Sequence, residues 1–387
     1  MISLREIMDL ASRPGVLSLA HGLPASELFP RQALAEASSR VLETDPASLQ
    51  YAPPYQPLKA QIVQLMAARG VRCSEEQIFL TSGAQQGMDL LTRLLVEPGE
   101  RVILEWAVYD GIQFAARSRN PEILTVSADP AAGIDVEEVE SLLARGVRPA
   151  YIYVIPNGHN PLGATLSVAA RQRLAELARR HRVPILEDDV YGFLSYDDSP
   201  LPPLRAFEEE WVFYIGSFSK ILAPSLRTGW VVVPAPLTAR LALLKHAADL
   251  DTPSFGHHMV SAYLAVGHLP AHLDLLRAEY RRRRDALLAA LRVQFPAESL
   301  WNCPASGMFV WVELPAGVDT AELLRIALAK ESVAFCPGET FCAGDASRGS
   351  RCMRLSFTNH PPERIEEGIR RLGRAIRAVL PSGGNAP

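Results

Sequence analysis

The feature that most constrains this chain is an alternation. Short runs dense in Val, Ile and Leu recur along it, with amphipathic stretches of helical period between them. Gln77–Thr81, Arg101–Glu105, Ile123–Val126, Ala150–Ile155, Pro184–Glu187, Val212–Gly216 and Gly229–Val233 read as strands. Gln85–Leu95, Ala169–Arg180 and Leu237–Ala248 read as helices between them. Apolar strands joined by helices predict a mostly parallel sheet covered on both faces. In such sheets ligands lie beyond the strand C-terminal ends, so the polar residues just after each strand carry the functional information.

Past residue 270 the pattern changes. A long helical stretch, Pro270 to about Phe295, is followed by strands near Met308–Glu313, Val333–Phe335 and Met353–Ser356, with helices at Thr320–Ala329 and Pro362–Leu380. This predicts a smaller α+β domain joined by the N-terminal segment: residues 45–285 as the large domain, 1–44 and 286–387 as the small one. The arginine run Arg281–Arg284 is flanked by Glu279 and Asp285 and is spread around the axis by one helical turn, so it reads as a solvated helix face. The tail PSGGNAP reads as a frayed end.

Composition excludes several classes. The formal charge of −4 leaves no basic surplus for nucleic acid. No apolar run is long enough for a membrane span, and Arg5, Glu6, Asp9 and Arg13 interrupt the N-terminus too often for a signal peptide. The five cysteines lack CxxC spacing and read as reduced thiols of a cytoplasmic protein. No metal site is expected from the dispersed histidines, the adjacent His257 and His258 included.

Lysine is scarce: Lys59, Lys220, Lys245 and Lys330 are the only four among 39 basic residues. Three lie on amphipathic helices, where a solvated ammonium is expected. Lys220 ends GSFSK, directly after a strand, with Arg227 seven residues on. Serine hydroxyls and a guanidinium suit a phosphate dianion, and a lysine among them can condense with an aldehyde. TSGAQQGMDLL turns from a strand into a helix and frees the amides of Gly83, Ala84 and Gln85 for an anion. It is neither a Walker loop nor a dinucleotide fingerprint. LEDDVYGFLSY follows a strand: its three acids could form a metal site, Asp188 or Asp189 would cap a helix, or one buried carboxylate would face a cationic ring nitrogen with the Tyr191 phenol nearby. VIPNGHNPLG ends a strand in a turn at Asn160–Pro161. In RLSF, Arg354 could hold a carboxylate bidentately.

Taken in this order, HGLPASELFP, LQYAP, TSGAQQGMDLL, EWAVYDG, IPNGHNPLG, EDDVYGFLSY, GSFSKILAPSLRTGW, SGMFVWVELP and MRLSF resemble the fold-type I pyridoxal-phosphate (PLP) enzymes. Within these the chain resembles the class I/II aminotransferases, in particular the 2-aminoadipate and kynurenine aminotransferase branch. The resemblance implies an aspartate-aminotransferase-like fold with a mostly parallel seven-stranded sheet. It implies a homodimer with shared active sites, and PLP as cofactor.

Residue by residue, the resemblance implies that Lys220 carries the cofactor and moves the proton, while Asp188 pairs with the ring nitrogen. Asn160 and Tyr191 would bond the ring's phenolic oxygen, and Tyr109 would stack on the ring. Gly83, Ala84, Gln85, Ser217, Ser219 and Arg227 would take the phosphate, with Tyr51 reaching in from a second subunit. Arg354 would clamp the substrate carboxylate, with Gly22, His21 and Asn160 beside it.

Three positions depart from the family pattern. YAPPYQPLK lacks the usual Gly and is about two residues short, Leu162 replaces the Thr of Asn-Pro-Thr-Gly, and His21 stands where a Gly is usual. All three bear on the substrate pocket. The expected activity is ping-pong transfer of an amino group between an L-amino acid and a 2-oxo acid, in a specialised biosynthesis. The alternatives are elimination or cyclisation, racemisation or oxidation of an amino acid on the same fold. A PLP-binding sensor of the kind fused to DNA-binding regulators ranks below these, because no module is expected ahead of the N-terminal helix.

Overall fold

The computed structural model describes residues 4–196, 200–250 and 252–380. At its centre is a seven-stranded sheet. Strands β1 (Ile78–Thr81), β2 (Arg101–Glu105), β3 (Glu122–Val126), β4 (Tyr151–Val154), β5 (Ile185–Asp188), β6 (Val212–Ser217) and β7 (Gly229–Val232) lie in the order β1-β7-β6-β5-β4-β2-β3. β7 runs antiparallel to β1 and β6, and the remaining pairs are parallel. Every expected strand of this sheet lies within one residue of its observed bounds.

The strands alternate between two buried faces, as the pleat requires. Ile152, Ile185 and Val212 pack with Leu174 and Leu177 of helix α3 (Val168–His181). Tyr151, Tyr153 and Leu186 point the other way, into the larger core with Met88 and Leu91 of helix α2 (Ala84–Leu95). Helix α1 (Leu4–Ala11) precedes both in the chain.

A second, antiparallel sheet is built from β8 (Leu300–Trp301), β9 (Phe309–Glu313), β10 (Cys336–Pro337) and β11 (Cys352–Ser356), in the order β8-β9-β11-β10. Helices α4 (Leu269–Gln294) and α5 (Pro362–Val379) pack on one another beside it. The expected strand at Val333 pairs in parallel with Leu17–Ser18, so the N-terminal segment is stitched to this lobe. The expected helix from Thr320 ends at Ile326 and continues as a π-helical turn, Ala327–Glu331. The division expected at residue 285 falls inside α4, which runs unbroken for 26 residues. No described helix is long and apolar enough to cross a membrane, and the C-terminal PSGGNAP lies outside the described residues.

The arginine run departs from expectation. Arg283 is 2% exposed; its guanidinium donates to Glu279 (2.7 Å), to the Thr358 carbonyl (2.6 Å) and to Glu27 (2.6 Å). The spacing did show that the four side chains diverge. It could not show that one of them turns inward, because the acceptors come from residues 27 and 358.

Candidate active site

The carboxyl ends of β4, β5 and β6, the start of α2 and the middle of β11 converge on one cavity of about 260 Å³. Gly22, Ala84, Gln85, Tyr109, Asn160 and Asp188 line it, with Tyr191, Ser217, Ser219, Lys220, Arg227 and Arg354. Twelve of the residues singled out in the sequence thus meet in one place, although they span 332 positions between Gly22 and Arg354.

Lys220 follows β6 and donates its Nζ proton to the Gly22 carbonyl at 3.0 Å. Burial, with the Arg354 and Arg227 guanidiniums nearby, pulls its ammonium down to about 8. The other lysines stand elsewhere. Lys245 is not the solvated ammonium expected for it, because Nζ bonds Asp249 at 2.6 Å and Thr252 at 2.5 Å.

The three consecutive acids of β5 and its end separate by strand alternation. Glu187 accepts the backbone N–H groups of Leu204 and Arg205, at 2.6 and 2.9 Å. Asp189 is ion-paired with Arg69 and accepts from Asn157 at 2.6 Å. Neither Asp188 nor Asp189 caps a helix, because the chain enters turns at this point rather than a helix. Asp188 Oδ2 accepts from the Tyr153 hydroxyl at 2.5 Å. Its Oδ1 is buried and has no partner among the described residues. Burial pushes this carboxyl up to about 6.

One end of the cavity suits an anion. Gly83 caps α2 with φ +76°, and a Cβ there would stand 2.6 Å from Arg227 Nη2. Arg227 itself adopts a left-handed conformation and donates to the Ser82 carbonyl at 2.8 Å. Ser217 Oγ donates to Ser219 Oγ at 3.0 Å. The first amides of a helix have no partners within it, so they face this group of hydroxyls and guanidinium with donors to spare.

At the other end, Arg354 Nη1 donates to Asn160 Oδ1 and Nη2 to the Ala20 carbonyl, both at 2.7 Å. Its guanidinium carbon lies 4.2 Å from the Phe309 ring centroid and 4.7 Å from that of Phe341. Tyr191 is within hydrogen-bonding reach of Asn160, and burial raises its phenol well above the ordinary value. Burial likewise raises Tyr109 to about 12, so both phenols are neutral.

Two expected residues stand apart. Tyr51 is 86% exposed on the surface and does not line the cavity. His21 turns away as well, with Nδ1 2.6 Å from Ser18 Oγ and Nε2 3.2 Å from Ser12 Oγ. Sequence reasoning passed over Tyr153, Phe309 and Met8, which lie at or directly behind the cavity. Tyr153 and Phe309 did carry one available signal: each is a large aromatic near the end of a strand that precedes or enters a quoted motif.

The residues present fit pyridoxal phosphate. An unpartnered buried carboxylate oxygen is costly, and a cationic ring N–H relieves it. The hydroxyls, guanidinium and helix N-terminus suit a phosphate dianion, and Lys220 lines the same cavity. No cluster of metal-ligating residues occurs among the described residues.

Comparison with known proteins agrees. The family model "Aminotransferase class I and II" matches residues 14–372. A 2-aminoadipate transaminase of Thermus thermophilus is 38% identical over 385 residues, covering 98% of this chain and 94% of its own length. An aromatic-amino-acid aminotransferase of Thermococcus litoralis is 37% identical, covering 97% of this chain and 92% of its own. The solved structure of Pyrococcus horikoshii kynurenine aminotransferase, in complex with PMP, superposes with a TM-score of 0.92 at 34% identity, covering 99% of this chain and 96% of that one. The chain belongs to the class I and II aminotransferases and is a PLP-dependent aminotransferase of fold type I.

Proposed function

We propose that this enzyme moves an amino group between an L-amino acid and a 2-oxo acid in two half-reactions at the cavity around Lys220. The observation that carries the reading is the convergence of Lys220, Asp188, the Ser217–Ser219–Arg227 group and Arg354 on one cavity. Bound pyridoxal phosphate supplies a ring that withdraws the electrons left when the substrate Cα–H bond breaks. The chain's own residues do the rest.

Lys220 would carry the cofactor, and its desolvated amine would take the proton from substrate Cα and return it. Asp188 Oδ1 would hold the ring nitrogen, and Asn160 and Tyr191 would take the ring's oxygen. Tyr109 would cover the ring. Ser217, Ser219, Arg227 and the amides after Gly83 would hold the phosphate. Arg354, braced by Asn160 and the two phenylalanines, binds the substrate α-carboxylate and orients the Cα–H bond for cleavage.

A second copy of the chain completes the site. Leu49 and Tyr51 are 70% and 86% exposed beside a surface hollow that Thr252–Phe255 also lines. A partner covering this apolar surface would bury it and bring Tyr51 to the neighbouring cavity. The large domain comprises about residues 45–285 and the small one 1–44 with 286–387, the two sharing helix α4. The cytoplasm is the expected compartment, consistent with the five unpaired cysteines.

Borohydride reduction of the holoenzyme followed by peptide mapping tests the assignment: the pyridoxyl group is expected on Lys220. Recovery on Lys59, Lys245 or Lys330 would overturn it. A half-reaction screen with glutamate, 2-aminoadipate, aromatic and basic amino acids should release the matching 2-oxo acid in one turnover, with turnover restored by 2-oxoglutarate. Turnover of one substrate without any acceptor would instead assign elimination or cyclisation.

A further inference from the structure

Tyr153 lies behind the cavity, in contact with Asp188. It lies on β4 next to β5, in parallel register with Leu186. Tyr153 and Leu186 share one face of the sheet, so two residues beyond Leu186 the same face presents Asp188. The Tyr153 hydroxyl donates to Asp188 Oδ2 at 2.5 Å, and both side chains are buried. Burial first, then the Asp188 charge, raises the Tyr153 phenol well above its ordinary value, so it is an O–H donor and never the phenolate. One carboxylate oxygen is therefore spoken for from behind, and only Oδ1 is left for the cavity.

We propose that Tyr153 is a positioning residue for transamination: its hydroxyl holds Asp188 as a carboxylate aimed by Oδ1 into the cavity, which keeps the shared proton on the cofactor's ring nitrogen. This rests on the reading that Asp188 faces that nitrogen. Asp188 and the ring nitrogen compete for one proton. A carboxylate and a ring nitrogen in contact share it, and it goes to whichever is more basic. A hydrogen bond donated to the carboxylate lowers its basicity and leaves the proton on nitrogen, where it makes the ring an electron acceptor.

The other groups around Asp188 divide in sign. Asp189 raises its proton affinity, whereas the His159 ring and the Val190 N–H lower it. Across the cavity, Asp188 faces Lys220, Tyr109 and Tyr191. His159 Nε2 is itself 2.7 Å from Glu105, and both are buried. Tyr153 is the side chain that bonds Asp188 directly.

The test is Tyr153→Phe, which keeps the ring and removes the hydroxyl. Two readouts are needed. Carbon-13 NMR of aspartate-labelled protein, before PLP is added, follows the Asp188 carboxyl, assigned by its absence in Asp188→Asn. Its midpoint should rise by about one unit or more in Tyr153→Phe. In the holoenzyme, kcat should fall about tenfold or more while KM stays within about twofold, because the Arg354 clamp is untouched. In an Asp188→Asn background the same substitution should cost nothing further, since its route of action is already gone. An unmoved Asp188 midpoint, or an equal loss of kcat with and without Asp188, would overturn the proposal. Should Tyr153→Phe fold poorly, Tyr153→His, which retains a ring donor, must recover part of kcat; failure to do so counts against it. None of these outcomes depends on where borohydride labels the chain, so this inference and the assignment of Lys220 fail separately.

Discussion

Gly158 and Gly307 pack backbone against backbone: a Cβ on Gly158 would stand 2.4 Å from Gly307 Cα, and one on Gly307 2.6 Å from Gly158 Cα. Both have positive φ, +54° and +83°. The contact joins the loop that leads to Asn160 with the segment that leads to Phe309, and a hydrogen bond between the Thr165 and Ser306 hydroxyls at 2.9 Å lies beside it. The two lobes therefore set their register two residues from groups that brace Arg354.

Gly307→Ala should cost roughly 1–3 kcal/mol of stability, since the methyl must push a backbone away and adopt a disfavoured φ. It should also raise KM, because the shift is passed to Phe309 and Asn160. Urea unfolding and steady-state kinetics check both, and a variant as stable and active as the parent would contradict the close contact.

Arg354→Lys is not a conservative change here. A lysine cannot donate to Asn160 and Ala20 while lying flat between Phe309 and Phe341. Loss of the carboxylate clamp is worth roughly 2–5 kcal/mol, so KM for both the amino acid and the oxo acid should rise about 30-fold or more. Binding of pyridoxal phosphate itself should be little affected, which separates this variant from one that disturbs the phosphate end.

Asp188 makes a prediction about pH. Its carboxyl is raised to about 6 in the fold, against about 3.9 unfolded. Between those values the folded state binds the extra proton, so its stability falls as pH rises through that window, and the full cost is present above pH 6. The cofactor-free Asp188→Asn variant does not titrate. It should match the parent below about pH 4 and exceed it at pH 7 by about 2–3 kcal/mol, while losing transamination by orders of magnitude. Thermal melts of the cofactor-free proteins across pH 4–8 would show the divergence, and parallel curves would refute it.

Arg283→Ala should cost about 3 kcal/mol, because Glu279 and the Thr358 carbonyl lose a buried partner. Arg282→Ala should cost less than about 0.5 kcal/mol, since that side chain is 56% exposed. The difference between their urea midpoints is the measurement, and equal midpoints would restore the reading of the whole run as a solvated face.

The legible parts of this protein were those carried by local pattern. The alternation of apolar strands and amphipathic helices located β1 to β7 to within a residue, because strand and helix periods depend only on neighbours along the chain. The small-residue turn at Gly83 and the lysine after β6 were likewise visible, since strand ends are where such sheets bind ligands. The arginine run failed at long range: Arg283 found its acceptors at Glu27 and Thr358, 256 and 75 residues away.

Glu187, Asp188 and Asp189 hold both halves of the lesson. The sequence by itself determined that three adjacent acids end an apolar strand, and that the middle one must face the opposite way from its neighbours. Only the tertiary structure decided what each would meet: Arg69 for Asp189, the amides of Leu204 and Arg205 for Glu187, and Tyr153 with an open cavity for Asp188. Those partners lie between 17 and 120 residues away along the chain, at distances the packing of β4, β5 and the neighbouring helices sets. Whether a buried carboxylate is paired, solvated or left waiting for a ligand depends on what is brought next to it, and no local pattern encodes that.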